Sequence, residues 1–194
     1  MKNILQIFIL FLSVINNYGQ EKSLEYLNFK TELLRNKKVF IVEYSQFCNG
    51  EMILPNKDGV ICEKPYFLFW NKNGKYFKRK FSNCNTFNIQ EMNNPEFIET
   101  VKDNISTIKE SEILPISHEY LNSKGEKETV ELEVDHFCET KFEIHSTNGK
   151  IEKIVNEFYL REKVIDEKTP NDNFKINQKS ILNKIFQLAK KEIE

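Results

Sequence analysis

Alanine is almost missing from this chain: Ala189 is the only one in 194 residues, while Lys, Asn, Ile, Glu and Phe abound. That imbalance reads as the codon usage of an AT-rich bacterial genome, so the abundance of lysine and asparagine carries no functional weight. An excess of charge of one sign is missing too. The 28 Lys and Arg face 29 Asp and Glu, a formal net charge of −1, which argues against a dedicated nucleic-acid binder, whose cations must outnumber its acids on at least one face. No G-x-S-x-G elbow occurs, and the two Asn-Gly-Lys turns share too little flanking sequence to form a repeat. No cysteine precedes Cys48, so no lipobox and no lipid anchor are expected.

What is present begins with Met1 to Gly19. Lys2 is the sole charge there, and the apolar run Ile4 to Ile15 is interrupted only by Gln6 and Ser13. Such a run is too short to span a bilayer with ease, and the small Gly19 suits a signal peptidase, so residues 1–19 are expected to be a cleaved signal peptide. Residues 20–194 then form one domain, secreted or periplasmic, of a size that buries a core without metal or oligomer support. Four cysteines in an exported chain favour two disulfides over free thiols or zinc. The expected pairs are Cys48 with Cys62, closing a loop that holds Asn49-Gly50 and Asp58-Gly59, and Cys84 with Cys138, joining distant strand ends.

Hydrophobic periodicity supplies the elements. Leu24, Leu27 and Leu34 share a helical stripe, widened by Tyr26, Phe29 and Leu33, and predict an amphipathic helix over 22–36. The β-branched and aromatic segment 39–47 reads as a strand, followed by short strands 52–54 and 60–62 around an irregular return. Segments 66–70 and 76–81 form a hairpin around Lys72-Asn73-Gly74. Read as a bulged three-residue loop, it sets Phe69 opposite Phe77 and Trp70 opposite Tyr76. From Val130 to Ser146 the even positions hold Val130, Leu132, Val134, His136, Cys138, Thr140, Phe142 and Ile144, while the odd ones carry Glu131, Glu133, Asp135, Glu139, Lys141 and Glu143, which predicts one continuous half-solvated strand. A second three-residue loop, Thr147-Asn148-Gly149, returns it with Phe142 against Ile154 and Cys138 against Phe158. Asn94 and Pro95 open a helix through Ile108, residues 109–127 form an irregular crossover or a strand-bearing loop, and a last helix covers 177–193. The architecture expected is a single α+β domain, an antiparallel sheet of about six strands with three helices mainly on one face.

Candidate chemistry is sparse. His136 and Cys138, two apart on a strand, project from one face, but His145 has the opposite parity and Cys138 is better used in a disulfide, so no metal is expected. Ser117-His118-Glu119 is adjacency without a relay. Glu131, Glu133 and Asp135 line one strand face at spacings a glycosidase could use, and any half-solvated Glu-rich strand shows the same. The clearest surface is the first hairpin: Trp70 and Tyr76, with Tyr66 and Lys78 nearby, would lie opposite the phenylalanine face, where a second layer or a protein partner must cover them. The function expected is an exported non-enzymatic binding module (an inhibitor, immunity-type or envelope accessory protein) with no cofactor and no membrane insertion after cleavage. The alternative is an exported hydrolase of polysaccharide or peptide that uses carboxylates of the acidic strand 131–143.

Overall fold

The structure is a computed structural model that describes residues 23–36, 39–51, 53–55, 57–135 and 137–194. The expected signal peptide, 1–19, and the candidate ligand His136 lie outside the described residues. The described residues form six helices and eight strands in the order α1 (Leu24–Arg35), β1 (Phe40–Cys48), β2 (Tyr66–Lys72), β3 (Lys75–Phe81), β4 (Gln90–Glu91), α2 (Glu96–Asp103), α3 (Ile105–Glu110), β5 (Ile116–Leu121), β6 (Lys127–Leu132), β7 (Cys138–Ser146), β8 (Gly149–Asn156), α4 (Glu157–Arg161), α5 (Phe174–Lys179) and α6 (Ile181–Ile193). One antiparallel sheet runs β4-β3-β2-β1-β7-β8, and β5 with β6 forms a separate two-stranded sheet. The α+β class and the six-stranded antiparallel sheet are as the periodicity predicts, with more and shorter helices.

Strand β1 is buried from Phe40 to Tyr44 and β2 from Tyr66 to Trp70, on both faces. They are the central pair, and a continuous apolar run is what a strand covered on both sides requires. On the first face Val42, Tyr44, Phe67, Phe69, Phe142 and Ile144 pack against Phe97, Ile98 and Val101 of α2, Ile108 of α3 and Leu182, Ile185 and Ala189 of α6. On the second face, among the described residues, α1 lies over the sheet. Its Tyr26, Phe29 and Leu33 cover Ile41, Leu68, Trp70 and Phe81. The helix is therefore turned relative to the expected stripe: Leu24, Leu27 and Leu34 point to solvent. The aromatic residues won because they stack edge-on, Tyr26 on Tyr66 at 4.6 Å and Phe29 on Trp70 at 5.3 Å between ring centroids.

Both hairpin registers differ from expectation. In the first, Lys72 pairs with Lys75, so Trp70 faces Phe77 and Phe69 faces Lys78. Asn73 (φ 53°) and Gly74 (φ 77°) are both left-handed, the two-residue type I′ turn whose twist matches the flanking strands. In the second, Ser146 pairs with Gly149 and Ile144 with Ile151, joining two apolar side chains on the first face. The disulfides differ as well. Cys48 is bonded to Cys138 and Cys62 to Cys84, because β1 lies beside β7 with Cys48 directly opposite Cys138, a strand neighbour the sequence does not reveal. The acidic strand is not continuous: β6 ends at Leu132 and belongs to the small sheet, while β7 starts at Cys138. The segment expected to pair with Cys138 and beyond becomes α4, since Asn156 accepts from the amides of Phe158 and Tyr159 and caps a helix there. The expected helix 177–193 is divided by Ser180, which caps α6 by accepting from Asn183 N. The region 109–127 contributes β5.

Candidate functional site

The two ends of the large sheet are built differently. At one end β2 joins β3, and β7 joins β8, through two-residue turns. At the other end lie the connections 49–65, 82–89 and 133–137 and both disulfides. Long connections positioned by a rigid scaffold are where binding residues concentrate.

That loop end exposes Phe47, Ile53, Leu54, Val60 and Ile61. The described residues 53–55 and 57–61 are nonetheless tied down at their ends. Pro55 bridges to Ile61, Cys62 is bonded to Cys84, and Asn83 clasps the backbone by donating to Ile61 O at 2.9 Å and accepting from Glu63 N at 3.1 Å. Glu51 pairs with Lys64 at 2.8 Å. Glu139 of β7 lies directly opposite Phe47. Glu131, Glu133 and Asp135 are exposed, and burial together with the charges of Glu133, Glu131 and Glu139 pushes the Tyr159 phenol above its ordinary range.

The residues predicted from the first hairpin do not share a surface. Trp70 and Tyr66 are 3% and 2% exposed under α1, with the Tyr66 hydroxyl accepting from Ser23 N at 2.8 Å. Tyr76 lies on the first face, where its hydroxyl donates to Glu99 at 2.9 Å, and Lys78 donates to the main-chain oxygen of Glu192 on α6. Burial leaves Trp70 and Tyr66 no contact surface, and the shifted register separates them from Tyr76 and Lys78.

Two constellations went unread in the sequence. Under the edge of α1, Glu43 of β1 and Glu143 of β7 are direct cross-strand partners. Lys30 of α1 donates to both, at 2.7 and 2.6 Å, the Tyr26 hydroxyl donates to Glu43, and Lys150 donates to Glu143 at 2.7 Å. The signal for it was Glu43 itself, an acid inside the apolar run Val39 to Tyr44. At 2% exposure Glu43 is closed to any substrate; with two ammonium groups satisfying the pair, the cluster is built to hold α1 on the sheet. The second constellation joins His118 Nδ1 to Asp172 at 3.1 Å. Ser117 completes no triad, since neighbouring side chains leave a strand on opposite faces and its hydroxyl accepts from Asn173 at 2.8 Å. Among the described residues no three His, Cys, Asp or Glu side chains converge on a metal position.

The ion cluster sets a pH response. Burial by itself would raise the Glu143 carboxyl, but the hydrogen bonds from Lys150 and Lys30 overrule it and hold the group well below the usual carboxylate range. Its contribution is present above the unfolded value of about 4.3 and is lost as pH falls through the lower folded value. His145, beside Glu143, is lowered by burial and then by the Lys30 charge. Being harder to protonate when folded, it costs stability as pH falls below its unfolded value of about 6.5. Urea midpoints measured from pH 8 to pH 3 should therefore decline in two stages. The upper stage should vanish in His145→Gln and the lower shrink in Glu143→Gln; a profile unchanged by either variant overturns the assignment.

Comparison of the chain with family models, curated proteins and solved structures finds no match. The reading of function therefore stands on the geometry above.

Proposed function

We propose that this is an exported binding module that engages another protein through the loop end of its sheet, with Phe47 and the 53–61 loop as contact surface. The observation that carries it is the exposure of five large apolar side chains, Phe47, Ile53, Leu54, Val60 and Ile61, at the sheet end that also carries both disulfides. Apolar groups left in water on a pre-ordered loop bind at a low entropic cost, because little remains to be immobilised. Two disulfides accord with an oxidising compartment, and among the described residues no helix is long and apolar enough to cross a membrane. The hydrolase reading has less support: Glu131, Glu133 and Asp135 are exposed, and an exposed carboxyl lacks the apolar surroundings that keep a catalytic acid protonated near neutral pH.

The test is capture from envelope and medium fractions with the disulfide-intact protein, followed by titration of the partner found. Phe47→Ala with Leu54→Ala should weaken binding by about tenfold or more while the melting temperature stays put, since exposed substitutions change stability little. A partner bound equally well by that variant, or no saturable partner, overturns the proposal.

A further inference from the structure

The bond between Cys48 and Cys138 sits at the last residue of β1 and the first of β7, where the strands open into the connections 49–65 and 133–137. The next pair outward carries a backbone hydrogen bond, Asn49 N to Phe137 O at 2.9 Å, so Cys48 and Cys138 occupy a non-hydrogen-bonded position, where opposed residues come closest. Their Cα atoms are 3.9 Å apart. Both residues are half-buried rather than enclosed in the core. Among the described residues, the Cys48 sulfur has an ammonium neighbour. Lys64 Nζ lies 2.7 Å from Cys48 Sγ, held in place by Glu51 at 2.8 Å and Gln46 at 3.4 Å.

An adjacent cation stabilises a thiolate, and in thiol–disulfide exchange the sulfur that better bears the negative charge is the better leaving group. The two ends of this bond are therefore unequal. We propose that Cys48–Cys138 is a thiol-exchange site, opened by an external thiol that attacks the Cys138 sulfur and expels the Cys48 sulfur beside Lys64. The attacking thiolate forms a new S–S bond to Cys138 as the Cys48–Cys138 bond breaks, and Cys48 leaves as a thiolate paired with the Lys64 ammonium. A second external thiolate then attacks the adduct, releasing Cys138 and forming the external disulfide. Two external thiols are oxidised and the protein disulfide takes up the two electrons. The β1–β7 ladder from Ile41 to Phe47 survives this step, so the change is confined to the strand ends and the connections they hold.

The test uses the full chain with both disulfides formed, exposed to reduced glutathione in limiting amounts, quenched by thiol alkylation and mapped by peptide mass spectrometry. Glutathione should appear on Cys138 and the alkylating group on Cys48 before Cys62–Cys84 opens. In Lys64→Met the opening of Cys48–Cys138 relative to Cys62–Cys84 should slow by roughly threefold or more, and Lys64→Arg, which keeps the charge, should restore most of it. Because both bonds are followed in one molecule, general loosening of the fold accelerates both and does not imitate this pattern. Glutathione on Cys48, simultaneous opening of the two bonds, or a ratio indifferent to Lys64→Met overturns the proposal.

Discussion

Replacing Lys30 by methionine is expected to destabilise the protein by about 3–5 kcal/mol, the usual consequence of removing one partner from a buried ion pair. The magnitude follows from what is left behind. Glu43 and Glu143 face each other across β1 and β7, and Lys30 is the group that bonds to both. Without its ammonium, two carboxylates remain side by side under α1, with the Tyr26 hydroxyl on Glu43 and Lys150 on Glu143. Methionine keeps most of the lysine stem, so lost packing contributes little. Equilibrium urea unfolding measures the effect. Adding Glu43→Gln to Lys30→Met should recover part of the loss, because the uncompensated charge is then gone. A loss under about 1 kcal/mol for Lys30→Met would mean that water replaces the ammonium, and that the cluster behaves as a surface pair.

Trp70→Ala is expected to cost a similar amount, about 3–5 kcal/mol, as is usual for truncating a buried aromatic side chain to alanine. The indole stacks on Phe77 with centroids 5.6 Å apart and meets Phe29 edge-on at 5.3 Å, so its removal leaves a cavity beneath α1 that three different elements line. Trp70→Phe should lose far less, since most of the volume and both ring contacts survive. Trp70 is the only tryptophan in the chain, so its emission reports directly on whether α1 stays docked. An alanine variant of unchanged stability that fails to bind a partner would return Trp70 to the interface role the sequence allows.

What could be read in advance was mostly local. The strands 39–47 and 66–81, the cap signals at Asn94, and the helical spacing of Phe97 to Ile108 depend on neighbours within a few residues. The shifts inside these elements have physical causes. Asn73 tolerates the left-handed region nearly as well as Gly74, so Lys72-Asn73-Gly74 could be counted as a two- or three-residue loop, and one residue of slip moved Trp70 from Tyr76 to Phe77. Asn104 and Ser180 each interrupt what periodicity presents as one helix. The disulfide pairs failed for a different reason. Cys48 and Cys138 are 90 residues apart and meet only because β7 returns to the side of β1, a non-local pairing that no spacing encodes. The same return makes Glu43 and Glu143 partners, so the buried acid pair was out of reach for as long as that neighbour was unknown. The exposed loop residues were visible as apolar letters, but only the fold shows that nothing among the described elements lies over them.

The sheet is bounded by β4, two residues long, and by β8. An edge strand is a row of unpaired amides and carbonyls that invites another chain to join it. Here one edge is too short to serve as a template. The other carries Lys150, Glu152 and Lys153 among its apolar residues and runs straight into α4, which stops the strand at Asn156. A second molecule offering an edge to β8 would meet Lys150, Glu152 and Lys153. The charges that look like an ordinary wet strand thus disfavour the pairing of a further strand at β8.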